Sequence, residues 1–171
     1  MEPQHEFQFQ ARLRRMDYGQ HVIDVGAQIV AHISGLGSKR VIMALALDGQ
    51  HLKIHGSLHP QADGQGFVQV GGKGMKQLKA NSGDIVEVRL RNDDTLYQCE
   101  FPEAMAEVLA TDPEAKAAFD RLRPGTVRGF LFWVMDVKSA DKQVERALAV
   151  AEGLKHGVTT PQELVGLRSR R

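Results

Sequence analysis

The first seven residues that show a clear pattern alternate: Phe7, Phe9, Ala11 and Leu13 are separated by Gln8, Gln10 and Arg12. A period of two is that of a half-buried β-strand, so a barrel or sheet wall begins there. After a turn at Asp17 to Gly19, Ile23 and Val25 continue a short strand, and Ile29, Val30 and Ile33 mark a helical segment stopped by Gly35 and Gly37. VIMALAL and HLKIHGSL flank Asp48-Gly49, a dipeptide that tolerates the two left-handed conformations of a primed hairpin turn, which predicts a β-hairpin. GFVQV reads as a strand, GKGMKQLKA as a short helix or turn, and IVEVRL as a further strand with Val86, Val88 and Leu90 on one face. TLYQCEF then alternates Tyr97, Cys99 and Phe101 and is expected to complete the barrel.

From Pro102 the period lengthens to that of a helix. Met105 and Leu109, then Ala115, Ala118, Phe119 and Leu122, fall on helical faces. Asp112 before Pro113 reads as an N-cap with proline at the first helical position. Ser139 is a cap for the helix carrying Val144, Ala147, Leu148 and Ala151, and Gly157 is its stop. Thr160-Pro161-Gln162-Glu163 has the form of a capping box, with Arg168 to Arg171 as a fraying end. These signals place the chain in the α+β class: a small split β-barrel over residues 7–101 and a helical tail over 102–171.

Charge and composition narrow the function classes. The 171 residues are 42% apolar and 25% charged, ordinary for a globular protein. The net charge is +1, with residues 1–99 at +1 and residues 100–171 at zero, so a nucleic-acid or membrane partner has to be met by a local patch. No apolar run approaches the roughly 18 residues of a membrane span, and Met1 to Gln10 lacks the basic start and apolar stretch of a secretory signal. A cytoplasmic protein with no membrane insertion is expected. The single cysteine, Cys99, excludes an internal disulfide and reads as a core thiol.

Each candidate chemistry has a plain structural alternative. His51, His55 and His59 recur every four residues, which on a helix would suit a metal. On a strand that spacing is about 13 Å, too long for two ligands of one ion, so a solvated strand face is the expectation, with no metal and no cofactor. VGGKGMK lacks the spacing and the Lys-Ser/Thr pair of a nucleotide-gripping loop, and Gly71, Gly72 and Gly74 read as turn residues. The acidic residues Glu100, Glu103, Glu107, Asp112 and Glu114 sit where helix starts favour negative charge. No serine lies in a nucleophile elbow, and no catalytic residue is assigned.

Two constellations remain. Lys73, Lys76 and Lys79 form a basic stripe spaced by three, and Arg89 and Arg91 share the outward parity of the following strand, a candidate surface for nucleic acid or another anionic ligand. Tyr97, Arg128 and Trp133 are candidate lining residues of a small-ligand site, with Trp133 in FLFWVM read alternatively as a core anchor.

As an ordered set, FQARL, GSLHP, GFVQV and GDIVEVRL, followed by DPEAKAAFDRLRPG, FLFWVMDVKSADKQVERA and LKHG, resemble the bacterial YdeI/OmpD-associated, or bacteriocin-protection, families that carry an N-terminal split β-barrel. Trp133 and Lys138 match the tail pattern, whereas Val137, Lys142 and Gln143 depart from it. A well-specified core without an assembled catalytic set points to a non-enzymatic binding or accessory protein, whose candidate partners are nucleic acid, another anionic ligand or a protein. The resemblance adds a connection with stress or envelope protection. A second similarity, to swapped-hairpin transcription factors of the AbrB type, rests on GFVQV, MKQL and GDIVEV. Gly66, Leu78, Gly83 and Asp84 match there, and Gly71, Gly74 and Met75 differ. It implies a transcription-regulatory, DNA-binding role as the alternative.

Overall fold

The structure, a computed structural model, describes residues 5–168. Among them the chain forms six strands and seven helices, divided into one compact unit up to Gln98 and a second from Cys99 onward. The expected tail beyond Arg168 lies outside the described residues.

The first unit is a closed antiparallel barrel of β1 (Phe7–Arg15), β2 (His21–Val25), β3 (Arg40–Leu47), β4 (Gln50–Pro60), β5 (Gly66–Val70) and β6 (Ile85–Asn92). The strand order around it is β1-β2-β5-β4-β3-β6. Period-two patterning sends Leu13, Ile23, Met43, Leu45, Leu58, Val68, Val86 and Leu90 to the interior, each buried. The β3–β4 turn has Asp48 at φ 46° and Gly49 at φ 78°, the paired left-handed geometry that a primed turn needs. Its register, Leu47 to Gln50 through Arg40 to Ser57, fixes which side chains face out.

Two short helices complete this unit. Helix α1 (Ala27–Gly35) sends Val30 and Ile33 into the core, and α2 (Gly72–Leu78) sends Met75 and Leu78. Strand β5 pairs with β4 only from Leu58 to Pro60, so the edge of β4 around His51 to Ile54 has no strand beside it. Helix α2 takes that place: Gln77 Nε2 donates to the His51 carbonyl at 3.0 Å, and a Cβ on Gly74 would come within 2.7 Å of Leu52 Cδ2.

TLYQCEF is not the expected closing strand. Both edges of β6 are already occupied, by β1 and by β3, so no ladder is open to a following strand. After Asp93 N–H donates to the Arg40 carbonyl, Gln98 turns the chain at φ 55°. The alternation of Tyr97, Cys99 and Phe101 is therefore not a strand pattern, although Cys99 is buried as expected of a core thiol.

The second unit consists of α3 (Glu103–Thr111), α4 (Pro113–Asp120), α5 (Pro124–Met135), α6 (Ala140–Lys155) and α7 (Pro161–Arg168). The long helix α6 packs against each of the others. Asp112 Oδ1 accepts from Ala115 N–H at 3.0 Å and Ser139 Oγ from Lys142 N–H at 3.5 Å, the two caps expected from sequence. Glu163 holds the start of α7, accepting from the Thr159 N–H at 3.0 Å and the Thr160 hydroxyl at 3.1 Å. Ala147, Val150, Ala151 and Leu154 are the buried face of α6, while Val144 and Leu148 stay exposed. Lys155 Nζ reaches Asp112 at 2.9 Å and Glu152 at 3.0 Å, and hydrogen bonds from these carboxylates raise the lysine above its ordinary range.

Candidate functional site

The candidate cations of the barrel lie on α2 and β6. Lys73, Lys76 and Lys79 are exposed along α2, whose opposite side carries the buried Met75 and Leu78. Lys79 itself is the C-cap, in left-handed conformation at φ 52°. Arg89 and Arg91 project outward from β6, as their parity predicts. On that face Arg89 is in register with Ala44 of β3, and Ala44 with Lys53 of β4. Lys53 and Arg89 are both exposed. Lys53, in the same row as Arg89, is on the strand against which α2 packs, and it is a cation that the sequence reading of this surface did not include. Its outward parity between Leu52 and Ile54 was the signal available, masked by the histidines around it.

The remaining cations and neighbouring acids define the limits of this surface. Arg91 is three-quarters covered and reaches Asp94 at 3.5 Å. Glu87, one row from Arg89, is exposed and accepts from Gln10 Nε2 at 2.6 Å. Arg14 is gripped by both oxygens of Asp24, at 2.9 and 2.7 Å, and these bonds hold the Asp24 carboxyl below its ordinary range.

The three histidines of β4 prove to have three different environments, and only part of the segment is the expected solvated face. His51 is exposed. His59 is exposed and stacks on Phe67 of β5, ring centroids 5.0 Å apart. His55 is largely covered: its Nδ1 lies 2.7 Å from Oδ2 of Asp93, a carboxylate that is 1% exposed. Asp93 Oδ1 accepts from the Thr95 hydroxyl at 2.6 Å and the Thr95 N–H at 3.1 Å. Burial pushes the Asp93 carboxyl up, but the hydrogen bonds from Thr95 and His55 outweigh it and hold the group below its ordinary range. Arg40 completes the cluster, donating to Ser57 Oγ at 2.8 Å, to the His55 carbonyl at 3.3 Å and to the Gln98 carbonyl at 2.9 Å. This network clasps residues 93–98 onto the outer face of β3 and β4. Among the described residues no three His, Cys, Asp or Glu side chains are placed to hold a metal ion.

The candidate lining residues fall in different units. Tyr97 belongs to the clasped segment of the first, whereas Arg128 and Trp133 are on α5 of the second. Trp133 is half-buried; the buried side of α5 is Val127, Phe130, Leu131 and Val134. The Arg146 guanidinium lies 4.8 Å from the Trp133 ring centroid, a cation–π contact, and donates to the Trp133 carbonyl.

Comparison with known proteins matches residues 98–157 to the family described as bacteriocin-protection, YdeI or OmpD-associated. That segment lies almost wholly in the helical unit, so the barrel is outside the match. No curated protein and no solved structure matches the chain.

Proposed function

We propose that this chain, a barrel joined to a YdeI/OmpD-associated segment, is a non-enzymatic binding protein that takes a polyanionic partner, nucleic acid first among them, on the outer face of its barrel. The observation that carries this reading is the row Arg89–Ala44–Lys53, together with the exposed lysines of α2, a helix packed against β4, on a unit with little net charge. A local concentration of exposed cations is what a phosphate backbone meets, and its binding releases counterions. The His55–Asp93 pair, by contrast, looks like a general base with its orienting carboxylate, but Arg40, Thr95 and Gln98 bind it into a clasp that fastens one loop. The YdeI/OmpD-associated match supports an accessory role and carries no reaction.

The test is binding of a labelled single-stranded oligonucleotide, followed by fluorescence anisotropy at increasing salt. Salt-dependent binding that is lost in the K73E/K76E/K79E variant supports the proposal. Binding unchanged by that triple reversal, or no binding at low salt, overturns it.

A further inference from the structure

We infer that His5 and His32 form a two-ligand site for a transition-metal ion, at the end of the barrel where β1 begins. Both belong to the first unit: His5 precedes β1, and His32 is in the last turn of α1. Their ring centroids lie 5.0 Å apart, with the ring planes tilted by 40°. An ion about 2.05 Å from a ring nitrogen sits about 3.2 Å from the centre of that ring, so two rings sharing it at tetrahedral or square angles have centres about 4.5–5.2 Å apart. The observed separation falls in that range. The tilt makes the two planes cross, and an ion lying in the plane of both rings sits on that line.

Phe7 fixes this geometry. Its ring meets His5 edge-on, with 4.4 Å between centroids and 66° between planes, and meets His32 at 5.2 Å and 75°. Phe7 is itself anchored, because β1 pairs with β6 in the register Phe7–Leu90. Among the described residues no side-chain hydrogen bond engages either imidazole, and both histidines are exposed, so their ring nitrogens are open to an ion arriving from solvent. The position of His32 adds to this, since the carbonyl end of a helix carries a partial negative charge that favours a cation. Two imidazoles select ions such as Cu2+ and Zn2+, whereas Mg2+ and Ca2+ take oxygen ligands, which this pair does not supply. A structural zinc centre closes its shell with four protein ligands. Here two suffice and water fills the other positions, which is compatible with the absence, among the described residues, of any group of three metal-ligating side chains.

Calorimetric titration of the full chain, carrying no polyhistidine tag, with Cu2+ and separately with Zn2+ tests the site. The expected result is one ion per chain, with Cu2+ bound more tightly than Zn2+. H5Q and H32Q should each lose at least about tenfold in affinity, while H51Q and H59Q, at the exposed histidines of β4, should bind as wild type. A second readout is thermal: Zn2+ should raise the melting temperature of wild type, because an ion that binds the folded chain stabilises it, and should not raise that of H5Q. Circular dichroism verifies that the variants keep the barrel; if H32Q does not, H5Q decides. Absence of stoichiometric binding of either ion, H5Q or H32Q binding as wild type, or an equal loss in H51Q overturns the site. Such a failure leaves the polyanion reading untouched, because the two share no residue.

Discussion

His55 Nδ1 and Asp93 Oδ2 lie 2.7 Å apart, joining the middle of β4 to the residue that follows β6, although His55 has the parity of a solvent-facing side chain. The bond matters because Asp93 is the buried charged residue among those described, and a buried carboxylate is tolerable only when its oxygens are occupied.

D93N should therefore destabilise the barrel by about 3 kcal/mol, since an amide cannot accept at both positions and one of the three donors loses its partner. Urea unfolding measures this. The pH dependence has a definite sign. The Asp93 carboxyl is held below the value of about 3.9 that it has when unfolded, so its contribution is complete above that value and is lost as pH falls through the lower, folded one. Wild type should lose urea resistance more steeply than D93N below about pH 4.

Gly74 and Gly72, two residues apart on α2, should respond differently to alanine. The methyl at 74 meets Leu52 Cδ2 at 2.7 Å, so Leu52 has to shift. The overpacking of about 1–3 kcal/mol is set against a helix-propensity gain of up to about 1 kcal/mol, which leaves G74A less stable than G72A by melting temperature. At 72 nothing lies within 4 Å, and G72A should be neutral or stabilise by up to about 1 kcal/mol through helix propensity. Equal effects at the two sites would contradict the seating of α2 against β4.

Cys99 is buried and should react slowly with a thiol reagent such as Ellman's in the folded chain, then titrate fully in denaturant. Rapid native-state labelling would contradict its placement.

Much of the fold was readable because its signals were local. Asp48-Gly49 announced the hairpin, Asp112-Pro113 and Ser139 announced helix starts, and alternation fixed the faces of β1, β4 and β6. TLYQCEF misled because alternation cannot report whether a neighbouring ladder is open, and closure of the barrel through β1–β6 pairing left none. Lys73, Lys76, Lys79, Arg89 and Arg91 were legible as exposed cations and read together as one candidate surface. Lys53 acquires its meaning only from the register Lys53–Ala44–Arg89 across three strands. The His55–Asp93 clasp was out of reach for the same reason: its partners are 38 positions apart and meet through barrel closure.

The most direct test of the binding row is the salt dependence of oligonucleotide binding by wild type and K53E. If Lys53 contacts phosphate, the slope of log K against log salt should fall in magnitude by about 0.7 in K53E, with affinity reduced for every sequence alike. An unchanged slope and affinity in K53E would contradict the assignment of Lys53 to the binding row.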